Sequence, residues 1–183
     1  MRTIEMGDGV VLRPHRWDDA RAVLDGVMRN YDHLRTFMEW IKPDYSINDA
    51  NQYIERSIEG RDTKKGLSFG IIRGQDFIGS IDLSYFDEGP KATEIGYWID
   101  SNYEGKGIIS RAVSELIDLA FSELGMNRVQ IRCATANVRS AAIPERFGFI
   151  KEGVQRQAII RDGKLYDFAI YGLLAAEWDP EKK

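Results

Sequence analysis

Gly105 and Gly107 have the spacing in this chain that most directly suggests chemistry. They sit in NYEGKGIISRA, residues 102–112, between a strand-like run, EIGYWID, and a run with helical periodicity from Ser110 to Leu124. A glycine-bearing turn from strand to helix leaves main-chain N–H groups free at the positive end of the helix dipole, which makes an anion site, most often for phosphate. Two phosphate ligands are removed by context. A Walker A loop needs G-x-x-x-x-G-K-[ST], whereas Lys106 is followed by Gly107. A dinucleotide fold needs a third glycine where Ser110 stands and an acid closing the next strand, which ends Arg132-Cys133-Ala134-Thr135. From the turn alone, a purely structural role in close helix–strand packing stays open.

Other reactive residues are sparse. Cys133 is the only cysteine, so the chain has no internal disulfide or Cys-rich zinc site. It lies in an apolar strand, the usual setting of a packing cysteine, with neither His15 nor His33 near it in sequence. A covalent acyl-enzyme is therefore set aside, and no clustered ligands suggest a metal. Asp82 interrupts the otherwise apolar strand IDLSYF. Tyr31, His33, Phe37 and Trp40 form an aromatic group that could line a groove or pack a core.

The elements that must position these residues follow from periodicity. Val10–Pro14 reads as a first strand and Trp17–Met28 as a helix with Ala20, Val23, Leu24 and Val27 on one face. Residues 31–41 read as a short helix and loop, and SIND (46–49) is a capping box for a helix running to Gly60. LSFGIIRG, FIGSIDLSYF and ATEIGYWID read as antiparallel strands joined by short turns. In the helix after the glycine turn, Ala112, Leu116, Ala120 and Leu124 stack at i, i+4, with Gly125 as its cap. Arg128–Ala134 is the next strand, and strand–helix–strand of these lengths predicts a right-handed crossover and a parallel pair. Arg139–Phe147 reads as a short helix in which Pro144 fits only the first turn. Two final strands flank a turn at Asp162-Gly163. The expectation is one α+β domain over residues 1–183: a mixed, mostly antiparallel sheet flanked by helices, with a central parallel βαβ crossover.

Composition fits that domain. The 183 residues are 43% hydrophobic and 30% charged, ordinary for a globular chain with a core. There is no apolar run of the ~18–20 residues that cross a bilayer, and the first residues lack a signal-peptide core, so a cytoplasmic protein without a membrane partner is expected. A net charge of −4 argues against a direct nucleic-acid partner.

The order and spacing of EIGYWIDSNYEGKGIISRAV and ATANVRSAAIPERFGFIKEGVQR resemble the GNAT superfamily of acyl-CoA-dependent N-acyltransferases. VVLRPHRWDDA and YDFAIYGLLAAEW resemble its branch of RimJ/RimL-type ribosomal-protein N-terminal acetyltransferases, so the resemblance runs nearly end to end. It implies acetyl-CoA as co-substrate, no metal, and a primary amine as acceptor. That amine could be a ribosomal protein N-terminus. It also allows a homo-oligomer. The family's [Q/R]-x-x-G-x-[G/A] loop falls on Asn102, Gly105 and Gly107, with Asn102 departing from the usual residue. The resemblance implies pyrophosphate contacts from Glu104, Gly105, Lys106, Gly107, Ile108, Ile109 and Ser110. It implies that the pantetheine arm enters a gap between Tyr97–Ile99 and Ile131–Ala134, where Trp98 and Ile99 meet it. Asn137 and Ser140 match the N-x-x-S segment at the cofactor's thioester end, and Arg139 and Arg146 could reach the 3′-phosphate.

Transfer to an amine needs a neutral nitrogen, donors for the oxyanion and a proton for the thiolate. The resemblance points to Glu94 as base, on the strand entering the loop, with Asp82 and Asp167 as further candidates. Many relatives protonate the thiolate with a tyrosine seven residues after the Asn; here that position is Pro144, and Ser140 is the candidate acid. Acetylation of a small amine, such as a polyamine or amino-sugar antibiotic, and a non-catalytic acyl-CoA-binding module are the alternatives.

Overall fold

In a computed structural model, which describes residues 2–161 and 163–180, the period-two runs become one eight-stranded sheet. Its strands are β1 (Ile4–Glu5), β2 (Val10–Pro14), β3 (Leu67–Arg73), β4 (Asp76–Asp87), β5 (Ala92–Ile99), β6 (Arg128–Ala134), β7 (Ile150–Arg161) and β8 (Lys164–Leu174). They lie in the order β1-β2-β3-β4-β5-β6-β8-β7. Every pairing is antiparallel except β5 with β6, the expected parallel crossover. The very short β1 has no pattern to detect. Of the turn expected between β7 and β8, Asp162 lies outside the described residues.

Helices cover the two faces. α1 (Ala20–Arg29), the single turn α2 (Tyr31–Leu34) and α3 (Ile47–Asp62) bury Val23, Val27, Leu34 and Ile54 with Phe77 and Trp98. The capping box of α3 is made as expected: the Asp49 carboxylate accepts from the Ser46 N–H at 2.8 Å and its hydroxyl at 2.7 Å. On the other face α4 (Ile108–Asp118) buries Ala112, Val113, Leu116 and Ile117 against Ile81, Ile95 and Val129. α5 (Val138–Arg146) follows β6.

Two expectations are corrected. α4 starts two residues before Ser110 and runs into a π turn over Leu119–Glu123, where one extra residue per turn rotates Leu124 out to 37% exposure. Pro144 lies in the last turn of α5, not the first. There its missing N–H withdraws the bond that the Ser140 carbonyl, four residues back, would otherwise accept.

Candidate active site

β5 and β6 pair only through Ala92–Arg128, Thr93–Val129 and Glu94–Gln130, and then diverge. Glu94 closes the apex of this V: its Oε2 accepts from Arg132 Nε at 2.8 Å and from Gln130 Nε2 at 3.2 Å. Beyond the apex, the Asp100 N–H donates to the Ile78 carbonyl, toward β4. Strand alternation then turns the main-chain groups of Trp98 and Gly96 toward β4 and those of Ile95, Tyr97 and Ile99 into the gap. A cavity of about 1470 Å³ opens there. That exceeds the ~300–1,000 Å³ of a single drug-sized ligand and suits an extended cofactor with a second substrate.

At the wide end of the V the chain turns into α4. Asn30 Oδ1 accepts from the Ser101 N–H at 2.9 Å, and the Asp100 carboxylate accepts from the Asn102 N–H at 2.9 Å. Gly105 and Gly107 take φ 71° and 72°, the left-handed region, with Gly107 immediately before α4. No acceptor among the described residues takes the N–H groups of residues 105–110. Side chains brace the loop from both sides. The Glu104 carboxylate bridges His33 Nε2 at 2.8 Å and Arg139 Nη1. Arg146 Nη1 donates to Ser110 Oγ at 2.6 Å, and Lys106 Nζ donates to the Asn102 carbonyl at 2.8 Å.

At the start of α5, Asn137 Oδ1 accepts from the Ser140 N–H at 3.1 Å. From across the gap, the Tyr97 hydroxyl donates to the Ser140 carbonyl that Pro144 leaves open, at 3.1 Å, and lies 3.1 Å from Ser140 Oγ. The two residues therefore lock one another. Burial pushes the Tyr97 phenol up, and likewise the Cys133 thiol, which lines the same gap.

The α1–α3 side of the cavity carries side chains of another kind. Trp40 stacks on Tyr53 at 6.5 Å between centroids, and Phe37 meets Tyr166 edge-on at 6.3 Å. Beneath them Tyr53 Oη lies 2.6 Å from Ser80 Oγ and 3.1 Å from Ser68 Oγ, while His15 Nε2 lies 3.1 Å from Tyr53 Oη. Burial lowers the His15 pKa, so this network is neutral. Asp82 stands beside it, opposite Gly96 on β5. Its Oδ1 lies 3.1 Å from where a Cβ on Gly96 would be, so the carboxyl leans over β5 toward the gap. Burial pushes the Asp82 carboxyl up to about 7; the Ser84 hydroxyl opposes this and the Glu94 charge adds to it.

A gap between parallel strands beside a glycine-opened helix now has a counterpart among known proteins: residues 10–150 match the acetyltransferase (GNAT) domain. The chain belongs to the GNAT acetyltransferase family. It is 33% identical to the putative ribosomal N-acetyltransferase YdaF of Bacillus subtilis, over the full length of both. It is 25% identical to the ribosomal-protein-serine acetyltransferase of Escherichia coli, over 92% of this chain and 94% of that one. Among solved structures, the Microcin C7 self immunity acetyltransferase MccE, in complex with acetyl-CoA and AMP, is 29% identical. That likeness has a TM-score of 0.84 and covers 92% of this chain and 94% of that one.

The residues expected from the GNAT resemblance fall in different parts of the cavity. Glu104, Gly105, Gly107, Ile108, Ile109, Ser110, Asn137 and Ser140 all line it. Lys106 stays outside, over the Tyr103 ring. Trp98 and Ile99 line the cavity too; Ile99 presents main chain to the gap, while the indole of Trp98 packs on Phe77 and Gly26. Glu94 is held in the apex ion pair and is not among the lining residues. Asp167 accepts from the Gln157 N–H at 2.8 Å, holding the bulge of β7 away from this cavity. No role for the Tyr97 hydroxyl, nor for the missing side chain of Gly96, was expected, although Tyr97 bounds the expected gap. Pro144 carried a signal for the first, because a proline within a helix announces an unpaired carbonyl four residues earlier.

Proposed function

We propose that this GNAT acetyltransferase moves the acetyl group of acetyl-CoA to a primary amine, and that the amine is the N-terminal α-amino group of a ribosomal protein. The observation carrying the donor half is the β5–β6 ladder that ends at Glu94–Gln130. It leaves the main chain of Tyr97 and Ile99 to bond the amides of a pantetheine arm, in line with the N–H groups of residues 105–110 for a pyrophosphate. Gly105 and Gly107 would let that main chain close on the phosphates, with Arg139 and Arg146 of α5 as cations beside the loop. Acetyl-CoA supplies a thioester. Asn137 holds the first turn of α5, and Ser140, steadied by Tyr97, would donate a hydrogen bond to the departing sulfur.

The ribosomal acceptor is favoured by the names of the curated relatives and by the chemistry of the amine. A model α-amine has a pKa of about 7.7–8 and a lysine about 10.4, so only the former is substantially neutral near pH 7. On this reading the enzyme acts in the cytoplasm. The test is release of CoA thiol with N-terminal ribosomal peptides, joined to mass spectrometry of ribosomal proteins from cells lacking this protein. Loss of acetylation at one or a few N-termini is expected; an unchanged set of N-termini would overturn the ribosomal assignment. A small-amine acceptor is the second reading, because MccE was solved in complex with AMP as well as acetyl-CoA. A kcat/KM higher for small amines than for any peptide would decide for it.

A further inference from the structure

We propose that Asp82, rather than Glu94, receives the ammonium group of the acceptor and takes its proton. The assignment rests on the acetyltransferase reading above and deepens it. Three acidic side chains line the cavity: Asp49, Asp82 and Glu104. Asp49 is committed to Lys42 Nζ at 3.0 Å and to the start of α3. Glu104 is committed to His33 and Arg139 at the opposite, phosphate end. Asp82 has no ion-pair partner among the described residues. Glu94, outside the cavity, spends its charge on Arg132 and Gln130 to fix where the strands part.

Position adds to charge. Asp82 sits on the α1–α3 face, and its carboxyl leans over Gly96, the residue next to Tyr97. Any side chain at position 96 would stand between that carboxyl and the gap. The main chain of Tyr97 faces the gap and its hydroxyl meets Ser140, and Asp82 and Ser140 line the same cavity, so a thioester held beside Ser140 would be open to an amine received from the aromatic side. The titratable groups around it are Tyr53 from α3 and Glu94 from β5; Arg132 of β6 pairs with Glu94, and His15, just after β2, bonds Tyr53. Tyr53 is pushed up to about 12 and His15 is kept neutral by burial, so neither competes for the proton near pH 7. A carboxyl raised to about 7 suits the task, since a base works best when its pKa lies near the working pH.

The step balances simply. The nitrogen lone pair forms the C–N bond, the C–S bond breaks, and its electrons leave on sulfur. Asp82 takes the ammonium proton and passes it to solvent, which frees that lone pair; the second proton that nitrogen loses on becoming an amide reaches the thiolate through the Ser140 hydroxyl, giving amide and free CoA thiol.

The test compares wild type with Asp82→Asn, Asp82→Glu and Glu94→Gln between pH 5.5 and 9, using one α-amine peptide and following thiol release. For Asp82→Asn, kcat/KM falls by about 10²-fold or more, the range of general-base catalysis, and the acid limb of the wild-type profile disappears. The acceptor's own ionisation, near pH 8, remains in every variant. Acetyl-CoA affinity by calorimetry stays within twofold of wild type. Glu94→Gln keeps the acid limb. If Asp82→Asn also loses acetyl-CoA binding, Asp82→Glu decides: a displaced acid limb supports the assignment and an undisplaced one overturns it. An Asp82→Asn enzyme within threefold of wild type that keeps the limb overturns the assignment alone. A wild type that binds acetyl-CoA but releases no thiol with any amine overturns the reaction and this assignment with it.

Discussion

The two halves of the cavity are built from different material. The β5–β6 gap and the turn into α4 present main chain: unpaired groups of Tyr97 and Ile99, and N–H groups from Gly105 to Ser110. The α1–α3 side presents side chains: Trp40, Tyr53, the Ser68–Ser80 hydroxyls and Asp82. A main-chain site depends on backbone shape and tolerates many side chains. A side-chain site changes its ligand with each substitution. The first is suited to a ligand that never varies and the second to one that does.

That contrast is most directly broken at Gly107. A Cβ there would meet only Arg111 Nη1, at 3.5 Å, so space does not forbid a side chain. The backbone does, because φ 72° strains any β-branched residue. Gly107→Val should introduce about 1–3 kcal/mol of strain. Taken from the binding geometry, that weakens acetyl-CoA about 5- to 150-fold at about 1.4 kcal/mol per decade. Calorimetry should find this loss with the acceptor KM little changed. An affinity within twofold of wild type would mean that the loop does not hold the cofactor through its backbone.

A smaller effect is expected where the halves meet. Tyr97→Phe removes the donor to the Ser140 carbonyl and frees Ser140 Oγ. We expect kcat to fall about tenfold and stability by about 1 kcal/mol, the worth of one hydrogen bond. Pro144→Ala restores an N–H able to reach the same carbonyl. In that background Tyr97→Phe should lose less stability while kcat stays low. Equal losses of stability in both backgrounds would show that the proline and the tyrosine are unrelated.

The same contrast explains what could be read in advance. The donor half is local in sequence: Gly105 and Gly107 lie within one turn, and Asn137 and Ser140 within another. The antiparallel run from β3 to β5 and the parallel crossover followed from periodicity and short turns, whereas the place of β8 between β6 and β7 did not. Nor did the roles of the carboxylates. Nothing local to Glu94 announces its pairing with Arg132, 38 residues later. Asp82 gains its place only because Gly96 on the neighbouring strand leaves room. Trp98 sits beside the gap in sequence, yet strand alternation sends its indole into the other layer. Such roles are set by contacts between residues distant in the chain, and no local pattern encodes them.

The last expected effect is on stability alone, and its sign separates the halves again. A carboxyl raised to about 7 is disfavoured in its charged form by the fold. Below about pH 4, the ordinary range of an aspartate, the group is protonated in both folded and unfolded chains and contributes nothing. Between about pH 4 and 7 the unfolded chain loses the proton first, so stability falls as pH rises. Above pH 7 the penalty is constant. At about 1.4 kcal/mol per unit it is at most about 4 kcal/mol, and less where water in the open cavity screens the charge. Asp82→Asn should therefore raise the melting temperature by a few degrees at pH 8, at roughly 2–4 °C per kcal/mol for a chain of this size. Its advantage should shrink toward zero as pH is lowered to about 4.5. Asp49, whose carboxyl Ser46 and Lys42 hold down at about 2, has the opposite dependence, but it is common to both proteins and cancels in the difference. A difference between Asp82→Asn and wild type that stays flat across this range would mean that the carboxylate is already well solvated. The acceptor half would then need another group poised to take a proton.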